Sequence, residues 1–240
     1  MRRASSQSQA TSPRGRDPLA SVLPHRCAAC REWGSVLCRQ CRFALVTSPA
    51  CIVGGGIAAA LSFDGVARSA ILGLKYGNRR AVATALAEIL VRRLGLAVPG
   101  AGPLDQVDQV DQVDLVTWAP TSRRRVVERG YDQGELLARA VALQLGVPCR
   151  RLLFRVHGAP QAGRGRAERL EGPTFRVRSG RPLRVLVVDD VVTTGATLVA
   201  AGKALRAAGI CEVRLVAVAA TPVRGDAKAG EWAPGRLESA

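Results

Sequence analysis

Val185-Leu-Val-Val188-Asp189-Asp190-Val191-Val192-Thr193-Thr194-Gly195-Ala196-Thr197 is the stretch on which the reading of this 240-residue chain turns. Its four leading apolar residues predict a strand buried on both faces, as in a parallel sheet. Two adjacent carboxylates mark the end of that strand, and a helix is predicted after the loop. In open α/β sheets, ligands lie beyond the carboxyl ends of the strands. Paired acids there are costly unless a partner satisfies them. A ribose offers two neighbouring hydroxyls, and carboxylates accept hydrogen bonds from both. The following loop sets hydroxyls and a glycine at a helix start, where backbone N–H groups and the helix dipole favour an anion. Gly195 permits a close backbone approach, and Thr193, Thr194 and Thr197 add hydroxyl donors. Acids for a diol, followed at once by a cradle for a phosphate, suit a ribose 5-phosphate.

Three other settings share part of this pattern. A Walker B strand ends in acids, but no G-x-x-x-x-G-K-[ST] occurs in the chain. The first strand of a receiver domain does too, but that fold needs roughly a hundred further residues where about fifty remain. The third is a strand and turn with no ligand.

Outward from this stretch, strands alternate with helices. Leu115–Ala119 and Val213–Ala219 are further continuous apolar runs. Val82, Leu86, Ile89, Leu90 and Leu94 share one helical face and stop at Gly95. Leu136, Leu137, Ala140 and Val141 stop at Gly146, and Leu198, Ala201, Leu205 and Ala208 stop at Gly209. The order predicts an α/β domain with right-handed crossovers.

Basic residues gather on the same predicted rim. Arg123, Arg124, Arg125 and Arg129 follow the strand that Pro120 ends, and such a cluster would satisfy a pyrophosphate. Gln161–Arg169, with Gly163 and Gly165, reads as a mobile loop whose Arg166 and Arg169 would close over the same group. The alternatives are a solvated basic turn and an exposed flexible loop. Lys75 follows a short predicted helix, Val66–Leu74, and by itself reads as a surface lysine.

Cys27-x-x-Cys30 and Cys38-x-x-Cys41 are two close pairs, enough for the four thiolates of a tetrahedral, structural zinc. So small a segment lacks a core of its own, and metal binding is what would fold it. Cys51, Cys149 and Cys211 have no partner spacing, and the last two read as small buried hydrophobes.

Composition bounds the rest. The chain is 48% hydrophobic but only 4% aromatic, and carries a net charge of +16. Only Lys75, Lys203 and Lys228 are lysines among the 35 basic residues, so the surface is an arginine surface suited to polyanions. No apolar run reaches the roughly 18 residues of a membrane span. Residues 1–18 are polar and basic without a signal-like apolar core, and read as a disordered tail on a cytoplasmic protein. Residues 19–51 form the cysteine segment and 52–221 the main domain, with a flexible linker at 99–113. Residues 222–240 read as a second disordered tail. The linker repeats Asp-Gln-Val from Asp105 to Asp114, a period that suits neither helix nor strand and reads as an expansion in a tolerant loop.

The Asp189–Thr197 string resembles the phosphoribosyl pyrophosphate (PRPP) motif of type I phosphoribosyltransferases. That resemblance implies a mostly parallel sheet flanked by helices. It puts Asp189 and Asp190 on the ribose hydroxyls as the catalytic pair. Thr193, Thr194, Gly195, Ala196 and Thr197 would hold the 5-phosphate of a PRPP that arrives with magnesium. The order of cysteine pairs, Leu74-Lys-Tyr-Gly77, Arg129-Gly-Tyr-Asp-Gln133, basic loop and PRPP motif resembles the ComF family of competence-related proteins, over roughly Leu19–Thr221. With it Lys75 joins the pyrophosphate set. The family implies a bacterial cytoplasmic protein linked to DNA uptake, with PRPP or a nucleotide, single-stranded DNA and uptake proteins as partners, and allows a homodimer. Where the family has Arg-Gly-Phe-Asn-Gln, this chain has Asp132, an acid near the expected pyrophosphate.

Two function classes follow. One is an enzyme that transfers phosphoribosyl from PRPP to an acceptor. The other is a non-catalytic binder of a nucleotide or single-stranded DNA; the scarcity of aromatics weighs against a stacking platform.

Overall fold

The computed structural model describes residues 25–48, 51–53, 56–96, 113–156, 173–178 and 184–222. In chain order the elements are α1 (Arg39–Thr47), β1 (Cys51–Val53), β2 (Ile57–Ser62), α2 (Gly65–Tyr76), α3 (Val82–Arg93), β3 (Leu115–Trp118), α4 (Arg123–Arg129), α5 (Gln133–Leu145), β4 (Leu153–Arg155), β5 (Phe175–Val177), β6 (Arg184–Val192), α6 (Ala196–Ala207) and β7 (Glu212–Ala220). Five strands make one sheet in the order β1-β2-β7-β6-β3. Four of them run parallel, and β1 closes the β2 edge antiparallel. β4 and β5 form a separate antiparallel pair.

The continuous apolar runs are the inner strands, as burial on both faces requires. Alternation sorts their side chains. Leu186 and Val188 of β6 face α2, α3 and α5, together with Val216 and Val218 of β7. Val185 and Val187 face the other way, with Leu215 of β7, Leu198 and Leu205 of α6, and Leu153 and Phe175 of the β4–β5 pair. One face thus carries three helices, and the other a single helix and a two-stranded ribbon.

Three features depart from the sequence reading. Ile57–Ser62, which the apolar runs named above did not include, is a fully buried inner strand. β6 does not stop at Val188 but runs through both acids to Val192, because β7 pairs beside it as far as Val192↔Ala220. Asp114, the last member of the Asp-Gln-Val repeat, is not loop filler. Its carboxylate accepts from the Arg184 backbone N–H at 2.8 Å and from its guanidinium at 2.7 Å, which sets the start of β6 beside β3. Hydrogen bonds from the Arg184 side chain and backbone hold the Asp114 carboxyl below its ordinary range.

The cysteine segment is not an appendage with its own small interior. Cys27, Ala28, Leu37, Cys41 and Leu45 belong to the same buried cluster as Leu74 of α2 and Leu86 of α3. Arg42 of α1 pairs with Glu88 of α3 at 2.8 Å. Arg93 closes α3 onto both sides, donating to the Ala60 carbonyl at 2.8 Å and to the carbonyls of Val46 and Ser48. Cys149 is half-buried, where burial pushes its thiol up to about 11. Cys211 is exposed, so it is not the buried hydrophobe expected, because it lies in the turn between α6 and β7 rather than in the strand. The tails, most of the linker and Gln161–Arg169 lie outside the described residues. Among the described residues, no helix is long and apolar enough to cross a membrane.

Candidate functional site

The parallel strands all end on one rim, and β6 projects furthest relative to its neighbour β3. β3 pairs with it only as far as Trp118↔Val188, while β7 continues on the other side. Asp189 and Asp190 therefore stand on an overhang supported on one side and open on the other. Neighbouring residues of a strand point to opposite faces, and the two acids meet different surroundings. Asp190 is 4% exposed, and its Oδ1 lies 3.1 Å from Nζ of Lys75, brought by the last turn of α2. Its Oδ2 is buried with no hydrogen-bond partner among the described residues. A buried carboxylate oxygen left unpaired is costly and calls for a donor. Asp189 accepts from the Asp190 backbone N–H at 2.8 Å. Burial, and then the Asp190 charge, push the Asp189 carboxyl up to about 8 against the pull of that N–H and of Lys75.

The loop that follows is shaped for an anion. Gly195 adopts φ 79°, a left-handed conformation that favours glycine, and α6 begins immediately after it with no side chain capping its first turn. Thr193 and Thr194 are exposed beside it, and the Ala196 N–H makes only a long contact, 3.4 Å, to Thr194 Oγ1. Thr197 is half-buried in the first turn of α6. Open N–H groups, the dipole of a twelve-residue helix and adjacent hydroxyls form one surface.

The arginines after β3 are dispersed, not clustered, because Arg123–Arg129 is helical. Arg124 pairs with Glu128 at 2.7 Å on the solvent side. Arg129 lies over the Tyr76 ring at 4.8 Å and donates to its hydroxyl at 3.1 Å. Arg123 lines a cleft of about 590 Å³ between α4, the start of α5 and β4. Arg125 is exposed, and its charge reaches Arg155. Lys75 goes to Asp190. Arg166 and Arg169 lie outside the described residues, but the β4–β5 pair that flanks their segment is packed against α6.

Sequence reasoning missed Arg155. It is half-buried on the cleft wall at the end of β4, and no hydrogen bond satisfies it among the described residues. Burial, and then the Arg125 charge, lower its pKa, while Asp189 raises it. The signal was an arginine inside the short apolar run Leu152–Val156. Asp132 also differs from expectation. It is the N-cap of α5, accepting from the N–H groups of Gly134 at 3.0 Å and Thr121 at 3.2 Å and from Trp118 Nε1 at 3.3 Å. Its carboxylate is occupied holding the β3–α4 loop to α5, although burial raises its pKa.

The four cysteines converge. Their sulfur atoms all lie within 4.8 Å of one another, and Cys30 and Cys38 stand 3.6 Å apart. A tetrahedral zinc with bonds near 2.3 Å needs sulfur separations of about 3.8 Å, so the set fits. Burial opposes charge on Cys27, yet N–H groups of Cys38, Cys30 and Ala29 bring its thiol down to about 6, ready to serve as a thiolate.

A family model described as the phosphoribosyl transferase domain matches residues 132–233. No curated protein matches the chain. Among solved structures, an allosteric regulatory enzyme of purine biosynthesis is 20% identical over 58% of this chain, with a TM-score of 0.39. The chain spans 26% of the length of that enzyme. A purine phosphoribosyltransferase from Pyrococcus horikoshii is 19% identical over 60% of this chain and 76% of its own, with a TM-score of 0.34. The adenine phosphoribosyltransferase of Leishmania tarentolae is 15% identical over 71% of this chain and 94% of its own, with a TM-score of 0.40. The chain has a type I phosphoribosyltransferase-like fold, a mostly parallel sheet flanked by helices, with a four-cysteine segment at its N-terminal side.

Proposed function

We propose that this chain binds PRPP with its magnesium and transfers the phosphoribosyl group to an acceptor. The observation that carries the reading is the β6 overhang, where a buried, half-satisfied Asp190 and its neighbour Asp189 lead directly into an uncapped helix start. The ribose hydroxyls would donate to Asp189 and Asp190, supplying the partner that Oδ2 of Asp190 lacks. The 5-phosphate would sit on Thr193–Thr197. Arg155 and Arg123, rather than the whole Arg123–Arg129 set, would face the pyrophosphate from the cleft. Magnesium, when bound with PRPP, would neutralise the pyrophosphate and ease its departure. An acceptor lone pair forms the new bond to C1 as the C1–oxygen bond breaks, and that electron pair leaves with pyrophosphate. The paired carboxylates favour the positive charge that develops on the ribose ring.

The same residues support structural zinc on Cys27, Cys30, Cys38 and Cys41. The order of motifs supports a ComF-type protein acting in the cytoplasm in DNA uptake, with uptake proteins and single-stranded DNA as partners and a homodimer as its assembly. That part of the reading rests on the resemblance.

Calorimetry with Mg-PRPP, followed by pyrophosphate release with a panel of bases, tests the reading. Binding with release on at least one base is expected. Binding without release on any base favours the non-catalytic binder. No binding, with Asp190→Asn behaving as wild type, removes the ribose assignment.

A further inference from the structure

The cysteine segment and the ribose acids are joined through one helical turn. α2 ends at Tyr76, and its last turn carries Lys75 to Asp190. Arg79, just beyond, donates from Nη1 to the carbonyl oxygens of Cys27 at 2.5 Å and Arg26 at 3.2 Å. Its backbone N–H returns to the Gly73 carbonyl at 3.3 Å, which also accepts from the Gly77 N–H at 3.0 Å. The turn is pressed on directly as well. A Cβ at Gly73 would stand 3.2 Å from the Ala28 carbonyl oxygen and 3.3 Å from Arg79 Cδ. A side chain there would need the loop or the helix to give by a few tenths of an ångström.

The other end of this contact is fixed by the metal-binding loop itself. The Cys27 carbonyl also accepts from the Arg31 N–H at 3.1 Å, and the Cys27 N–H donates to Glu32 at 2.7 Å. The Cys27 sulfur accepts from the Cys38 N–H at 3.5 Å. A tetrathiolate metal would set the conformation of this loop, and with it the position of the carbonyl that Arg79 grips.

We infer that Arg79 is a positioning residue that transmits the shape of the metal-bound cysteine loop to Lys75, and so sets how well Asp190 holds its ligand. The inference rests on the ribose reading above. Lys75 neutralises a carboxylate whose other oxygen is buried and unpaired. If the turn slackens, the ammonium withdraws and that carboxylate loses its one charged partner, a costly state in a buried place.

The test uses the full chain loaded with zinc, titrated with ribose 5-phosphate. Arg79→Ala should keep one zinc per chain and bind about tenfold more weakly, the scale of coupling seen between residues in contact. Gly73→Ala, which pushes the loop and turn apart, should act in the same direction. In a Lys75→Ala background, Arg79→Ala should cost nothing further, a result that a merely structural role would not give. Equal costs in both backgrounds, or wild-type affinity with zinc retained, would overturn the inference. Hydrogen exchange at residues 73–77 reads the link without any ligand. Chelation that speeds exchange there more in wild type than in Arg79→Ala supports it, and an equal change in both refutes it. Failure of wild type to bind ribose 5-phosphate counts against the proposed function, and the exchange result then decides the inference alone.

Discussion

Nζ of Lys75 stands 3.1 Å from Oδ1 of Asp190, and both side chains are largely buried. This pair ties α2 to the middle of the sheet at the point where the ligand is expected. Breaking a buried pair from one side leaves an uncompensated charge, so Lys75→Met should destabilise the chain by about 3 kcal/mol. The double variant Lys75→Met/Asp190→Asn should recover much of that loss. Urea denaturation of wild type and the two variants measures both effects.

Asp189 predicts a pH dependence of opposite sign to that of a typical salt-bridged carboxylate. Its folded pKa, about 8, lies above the ordinary 3.8, so folding favours its protonated form. Its contribution to stability is present below pH 4 and is lost as pH rises toward 8. Asp189→Asn should therefore raise the melting temperature relative to wild type at pH 8 and leave it little changed at pH 4. Thermal unfolding of both proteins at the two pH values reads this directly.

Arg155→Met should weaken pyrophosphate binding by about tenfold, the scale of a lost charge-assisted hydrogen bond, while leaving ribose 5-phosphate affinity near wild type. Arg124→Met, which removes a residue already paired with Glu128, should change neither affinity. Competition between the two ligands by calorimetry separates the outcomes.

Cys27→Ser should lose its zinc. Because the cysteine segment shares its interior with α2 and α3, metal removal should lower the single melting transition of the whole domain and not produce a separate early one. Metal analysis with calorimetric scanning checks this.

The parallel sheet and the helices that end at Gly95, Gly146 and Gly209 were legible because each obeys a local rule. Apolar runs mark strands buried on two faces, and Gly146 and Gly209 mark helix stops. The cysteine pairs were legible from spacing alone. What escaped the sequence depended on neighbours far along the chain. The length of β6 is set by β7, and the duty of Lys75 by the place where α2 delivers it. Asp132 looked like an intruding charge because its partners, Trp118 of β3, Thr121 of the loop and Gly134 of α5, are brought to it only by the fold. The run Arg123–Arg129 looked like one charged patch, but its helical twist sends successive guanidinium groups in different directions. Arg155 was hidden inside what reads as a short apolar strand.

The unequal dressing of the sheet has a consequence for how a ligand would be felt. Among the described residues, three helices hold one face while α6 is the one helix on the other, and its first turn would floor the loop proposed for the phosphate. An anion seated there would add an anchor on the thinner side of the sheet. Binding energy spent at that spot would be converted into rigidity of α6 first, and would reach the opposite layer through Asp190 and Lys75.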